Sequence, residues 1–202
     1  MYVVGSVRSG STAFAVAKAL EYNIPYAGDL SHSSIHQPTP EPSFRVNVKN
    51  EFHEIGFNPS YTVSQYVEIS QNLQDPAHMY LLPASMISPG SWGNAVGYIT
   101  RRNIKDIARS SFCYVKKTTT SRLISEGEMY GYIERALIGA VCLLEYCKQT
   151  NKQITWYEDM FDVDTVYTAW EESPFKLTIE ARVDKLLEEL NPQSINSNIT
   201  LT

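Results

Sequence analysis

The chain has 202 residues, 43% of them hydrophobic and 19% charged, with a formal net charge of −5 at pH 7. That length suits one globular domain with a core of its own, and the composition is too apolar for a disordered chain. The acidic balance argues against a nucleic-acid binder working by broad phosphate neutralisation, and the longest apolar run, Ala136 to Leu144 between Arg135 and Glu145, falls short of the ~20 residues of a membrane span.

The opening MYVVGSVRSGS shows no basic segment followed by an apolar leader, so a cytoplasmic location is expected. Tyr2 to Val4 reads as a strand, a turn rich in Gly and Ser follows, and Thr12 to Leu20 reads as a helix with Phe14, Ala17 and Leu20 or Glu21 at helical spacing. From Asn23 to Ser43 the prolines at 25, 38, 40 and 42 and Gly28 predict a long loop. Phe44 to Val48 alternates as a short strand or turn, Tyr61 to Leu73 follows helical spacing, and His78 to Leu82 is a second strand. Ala95 to Thr100 is a third apolar run, with Asn103 as candidate N-cap of a helix carrying Ile104, Ile107, Ala108 and Phe112. Glu126 to Lys148 is the clearest helix, with Met129, Ile133, Ala136, Leu137, Ala140, Val141, Leu144 and Cys147 on one stripe. Lys152 to Trp156 predicts a strand, Tyr157 to Phe161 a turn of helix, and Ile179 to Leu190 a closing amphipathic helix.

Strands alternating with helices predict a single α/β domain over residues 1–190, with a mainly parallel central sheet flanked by helices and a polar tail at 191–202. In such sheets ligands bind at the carboxyl ends of the strands. Cys113, Cys142 and Cys147 are odd in number and lack C-x-x-C spacing, which predicts buried free thiols.

Two segments at those strand ends carry chemistry. Gly5 to Thr12, GSVRSGST, has the spacing G-x-x-x-x-G-x-[ST] of a loop whose backbone N–H groups and following helix cradle an anion. Where a Walker A loop places Lys, this chain has Ser11, which disfavours a standard ATPase or GTPase. The cation sits within the loop as Arg8, whose guanidinium suits two oxygens of a phosphate or sulfuryl group. In the second segment, Arg101 to Ser111, an Arg at the strand end and Ser110 two turns along the helix are placed to hold one phosphate jointly.

RRNIKDIARSSF resembles the 3′-phosphate-binding segment R-N-P-K-D-V-A-x-S of the PAPS-dependent sulfotransferases, SVRSGST resembles their 5′-phosphosulfate loop P-[KR]-S-G-[ST]-T, and Ile154 to Met160 resembles their late strand ending in Y-E-D-[LM]. The three matches follow the family's order over residues 3–160. The resemblance implies a P-loop NTPase-like sulfotransferase fold that transfers a sulfuryl group from 3′-phosphoadenosine-5′-phosphosulfate (PAPS) and releases adenosine 3′,5′-bisphosphate (PAP). It implies that Arg8, Ser9, Gly10, Ser11 and Thr12 hold the 5′-phosphosulfate, that Arg102 and Ser110 hold the 3′-phosphate, and that Tyr157 lies near the adenine. Arg101 and Arg109 have no assigned family role and are expected at solvated positions.

Transfer calls for positioning, charge stabilisation and a base for the acceptor's proton, with no metal required. The run Lys49 to Glu54 resembles the K-E-x-H-F-F segment of glycosaminoglycan-type sulfotransferases, which makes Glu51 the base and His53 its neighbour. In the cytosolic branch the base is a His in a K-T-H-x-P segment, and the corresponding stretch here is His78 to Pro83; Glu51 and His53 are preferred. His32 and His36 are expected to face water. Neither the family's R-K-G-x-x-G segment nor a dimerisation motif follows Met160, and Ser121 to Glu126 is an alternative cover for the cofactor. The expected partner is a small-molecule or carbohydrate acceptor bearing a hydroxyl or amine. Two rivals stand beside this expectation: a catalytically silent nucleotide-binding protein and an atypical P-loop kinase.

Overall fold

The computed structural model describes residues 1–30, 73–85, 92–118, 124–161 and 167–190. It is an α/β fold around a five-stranded sheet of order β2-β3-β1-β4-β5, every neighbouring pair parallel. The strands are β1 (Tyr2–Gly5), β2 (Tyr26–Asp29), β3 (Met79–Pro83), β4 (Tyr98–Thr100) and β5 (Thr155–Trp156). The helices are α1 (Ser11–Glu21), α2 (Ile104–Thr118), α3 (Glu126–Gln149), α4 (Tyr157–Met160), α5 (Thr168–Glu171) and α6 (Lys176–Glu189). The expected segment Phe44 to Val48 and residues 61–72 of the expected helix lie outside the described residues.

Side chains alternate along each strand and divide the core between two faces. Val3, Leu81 and Ile99 point to α1, where they meet Phe14, Ala15, Val16 and Ala19. Tyr2, Val4, Tyr80, Leu82 and Tyr98 point the other way, onto Leu143 and Cys147 of α3. Residues buried on both faces explain why these strands read as continuous apolar runs. Ile99 has no exposed surface, and burial of a side chain of that size contributes about 1.5–3 kcal/mol. A third apolar cluster joins α2, α3 and α6 through Phe112, Ile133, Leu137, Ile179 and Val183.

Local chemistry sets the helix limits. Asn103 Oδ1 accepts the Lys105 N–H at 3.1 Å, which caps α2 where the sequence placed the cap. Ser125 and Glu128 form a reciprocal capping box that starts α3, and the whole expected stripe from Met129 to Cys147 is buried. At the end of α1, Asn23 takes φ +53° and the Ile24 N–H bonds the Ala19 carbonyl, a left-handed stop. The buried face of α1 differs from the expected one: Phe14, Ala15, Val16 and Ala19 are inside, while Leu20 is 64% exposed. Small alanines let the helix lie close to the sheet, and Leu20 falls on the outer side.

The loop expected from Asn23 begins with a strand instead. Tyr26 to Asp29 is fully buried and pairs with β3, with a register shift between Tyr26 and Gly28. Pro25 and Gly28 mask it as turn residues, yet the proline stands before the strand, where its carbonyl accepts from Met79 N–H, and the glycine sits at the irregularity. Two strands are shorter than expected, β4 starting at Tyr98 and β5 at Thr155. The short α5 carried no sequence signal.

Candidate anion site at the carboxyl ends of β1 and β4

β1 feeds α1 on one face of the sheet, whereas β4 feeds α2 on the other. The connections therefore diverge between two adjacent strands, and their carboxyl ends form the crevice in which open α/β sheets hold ligands. Ser6 Oγ and Thr100 Oγ1 meet at 2.8 Å at its base.

The loop from Gly5 to Gly10 forms one wall. A Cβ on Gly5 would lie 2.4 Å from Ser11 Cβ, so α1 starts hard against the strand end. Arg8 and Gly10 have φ of +62° and +69°, while Val7, Ser9 and Ser11 do not have positive φ. Such alternation of handedness turns backbone N–H groups toward a common concavity that suits an anion. α1 begins with Gly10 as N-cap, a residue with no side chain to cap the first turn. Gly10 is also wedged: a Cβ there would lie 2.7 Å from Phe161 Cε2 and 2.8 Å from Tyr157 Cδ2.

Arg8 crosses the crevice. Its Nε donates to Ser110 Oγ at 3.3 Å, and its guanidinium lies 4.4 Å from the Tyr114 ring centroid. The structure thus brings together one residue from each expected motif, although the arginine that meets Ser110 is Arg8. Arg102 turns toward β5 and α4: its Nη2 donates to Asp159 at 2.6 Å, its N–H faces the Glu158 carboxylate, and its guanidinium lies 5.6 Å from the Trp156 ring centroid. Both partners of that ion pair are about half exposed, at 42% and 55%, so it is worth only about 0–1 kcal/mol.

The small loop residues divide their work. Ser9 is fully buried, with its hydroxyl donating to the Ser6 carbonyl at 2.6 Å and its N–H to the same carbonyl at 3.3 Å, so it holds the turn. Ser11 and Thr12 are buried in the first turn of α1. Tyr157 lies against Gly10 and 4.8 Å from the Phe161 ring, which ties α4 to the loop. The loop amides, the glycine-capped helix start and Arg8 suit a small anion with several oxygens.

The expected solvated position of Arg101 is corrected. It is 5% exposed, its Nε donates to the Arg8 carbonyl at 2.7 Å, its Nη1 donates to Tyr167 Oη at 2.9 Å, and its guanidinium stacks 3.9 Å from the Tyr157 ring centroid. The sequence could not show this, because Tyr157 and Tyr167 lie more than fifty residues away along the chain. Arg109 is partly exposed and pairs with Asp106 at 3.0 Å. Asp29, in the segment expected to be a loop, is a buried carboxylate at the carboxyl end of β2, two strands from β1, and is 1% exposed.

His78 belongs to the opposite edge. Pro83 pairs with Gly5, and five strand residues at ~3.3 Å each put His78 roughly 16 Å from the loop. Its Nδ1 pairs with Asp75 Oδ2 at 2.8 Å. Burial works to raise the Asp75 carboxyl, but hydrogen bonds from the Ala77 N–H, His78 and Tyr80 hold it below its ordinary value. Glu51 and His53 lie outside the described residues, as do His32, His36 and Ser121. The three thiols are free, Cys147 buried and Cys113 and Cys142 partly so, and burial pushes Cys147 up to about 12. Among the described residues no helix is long and apolar enough to cross a membrane. Compared with protein-family models, curated proteins and solved structures, the chain matches none.

Proposed function

We propose that the chain is a PAPS-dependent sulfotransferase of P-loop-like fold that modifies a hydroxyl or amine of a small-molecule or carbohydrate acceptor. The observation that carries this reading is the loop of alternating handedness at the β1/β4 crevice, with Arg8 reaching across to Ser110. Loop amides, Arg8 and the start of α1 are the groups for the 5′-phosphosulfate. Ser110 is the neutral partner for the 3′-phosphate, and Arg102 joins it by giving up its exposed pair with Asp159. Tyr157 forms the wall of the loop nearest the adenine.

The donor supplies an activated sulfuryl group, whose sulfur–oxygen bond to the phosphate breaks as sulfur bonds to the acceptor's oxygen or nitrogen and PAP departs. With the donor bound in the loop, Arg8 and the loop amides would be the groups to stabilise the oxygen on which negative charge grows. The acceptor's proton passes to a carboxylate or imidazole, for which we propose Glu51 with His53 beside it. His78 is too far away and is already engaged with Asp75.

The test is release of PAP from the donor in the presence of a panel of alcohols, phenols, amines and sugars. Acceptor-dependent release that falls by at least about 100-fold in Arg8→Ala supports the proposal, since removal of one such charge-stabilising donor costs that order in rate. Tight donor binding without turnover over the whole panel would reduce the protein to a nucleotide binder.

A further inference from the structure

We propose that Arg101 is the positioning residue of the anion loop, holding the Arg8 peptide in its left-handed turn from beneath and lending the crevice a buried positive charge. This rests on reading the loop as an anion site and goes beyond it, because Arg101 has no role in the three motif matches.

A non-glycine residue at φ +62° is strained and persists only where its surroundings hold it. Here the trans peptide joining Arg8 to Ser9 is a rigid plane held at both ends. Arg101 Nε donates to its carbonyl at 2.7 Å, and its N–H donates to the Ser6 carbonyl at 3.3 Å. Fixing that plane fixes ψ of Arg8 and so the reversal of handedness on which the concavity depends. The same residue is Arg8, whose side chain must point across to Ser110.

Arg101 is itself held at three places: the Arg8 carbonyl, the Tyr167 hydroxyl and the face of Tyr157. Tyr157 in turn abuts Gly10, so the loop is gripped at two points through one guanidinium. A planar fork that donates in two directions while stacked on a ring is a task for Arg and not for Lys. Only 5% of the residue is exposed, and among the described residues no carboxylate pairs with it. A carbonyl, a hydroxyl and a ring face offset the burial of a cation only in part. An anion seated in the loop above completes the compensation, which makes anion binding and the Arg101 charge mutually stabilising.

The experiment is calorimetric titration of parent, Arg101→Ala, Arg101→Lys and Tyr167→Phe with PAP and, separately, with inorganic sulfate. Arg182→Ala, which removes an exposed guanidinium paired with Glu126, controls for net charge. Arg101→Ala is expected to lose about 10- to 100-fold in affinity, Arg101→Lys to recover little, and Arg182→Ala to bind as the parent does. Millimolar guanidinium is expected to restore part of the affinity to Arg101→Ala, whereas ammonium does not. A residue that merely filled space would show no such selective rescue. Affinity within twofold of the parent in folded Arg101→Ala overturns the proposal.

If Arg101→Ala does not fold, Tyr167→Phe decides: a several-fold loss of affinity supports the proposal, and unchanged affinity overturns it. If the parent binds sulfate but not PAP, and Arg101→Ala loses the sulfate, the positioning role stands and the nucleotide reading falls. If the parent binds PAP and the variants bind it equally, the reverse holds. A parent that binds neither ligand overturns both.

Discussion

Gly10→Ala tests the loop geometry most sharply, because its cost follows from two features of its position. Gly10 has φ +69°, and a side-chain-bearing residue held in the left-handed region costs about 1–2 kcal/mol. The added methyl would also stand 2.7 Å from Phe161 Cε2 and 2.8 Å from Tyr157 Cδ2, well inside contact distance. Overpacking of this kind costs about 1–3 kcal/mol, and the lower half applies because α4 is short and partly exposed and its rings have room to shift. Together these effects predict a loss of about 2–4 kcal/mol, read as a lower midpoint in urea at unchanged slope. Gly131→Ala on α3 is the contrasting control: nothing lies within 4 Å of the new methyl, and alanine in a helix is expected to stabilise by about 0.5–1 kcal/mol. A Gly10→Ala protein within about 0.5 kcal/mol of the parent would refute the left-handed, wedged position of Gly10, and with it the alternating loop.

Arg102→Ala should leave stability nearly unchanged, because its pair with Asp159 is exposed, yet lower PAP affinity by about 10- to 100-fold; unaltered affinity in a calorimeter would remove Arg102 from the 3′-phosphate site. Asp75→Asn is expected to cost about 1 kcal/mol through its bonds to His78 and Tyr80 and to leave PAP affinity intact, since the cluster lies at the far edge of the sheet; a binding defect would count against the crevice at β1 and β4. Burial pushes the Cys147 thiol up to about 12 from 9.0, and also raises Tyr80 and Tyr98. A group whose folded pKa is raised contributes stability that is complete below its unfolded pKa and is lost as pH climbs to the folded value. Stability under reducing conditions should therefore fall as pH rises through about 9 toward 12, and urea midpoints independent of pH over that range would contradict it. Iodoacetamide at pH 8 should spare Cys147 in the native protein and label it after unfolding.

The elements legible in the sequence were those in which one local signal carried the information. The run Tyr2 to Val4, the Gly and Ser that follow and the alanine-rich helix together specify a strand, a turn and a helix, and the structure has all three, with the strand reaching Gly5. Asn103 before Ile104 announced the start of α2, and the apolar stripe of α3 is buried residue for residue. β2 was hidden because Pro25 and Gly28 act as breakers in isolation, whereas pairing with β3 uses the positions around them. The sequence does not distinguish the buried face of α1, because Ala17 and Ala15 look alike until the sheet shows which side is approached.

Within the site, Arg8 and Ser110 were legible by type and spacing, and their contact joins two segments a hundred residues apart. The burial of Arg101 was not legible. In an Arg-Arg pair at a strand end, alternation sends one side chain inward and one outward, and the inward one is met by the Arg8 carbonyl, Tyr157 and Tyr167, which are remote in sequence. Arg102 takes the outward place and finds Asp159. The same sequence dipeptide thus yields a buried guanidinium bonded to the loop and a half-exposed one paired with Asp159.

The most direct measurement is calorimetric titration of the protein with PAP, run beside ATP with magnesium and beside AMP. A clear preference for PAP over both is the predicted result, because the proposed site assigns Arg8, Ser110 and a released Arg102 to a second phosphate that AMP lacks and Ser11 occupies the place where an ATP-binding loop has lysine. Preference for ATP with magnesium, or no binding of any of the three, would contradict it.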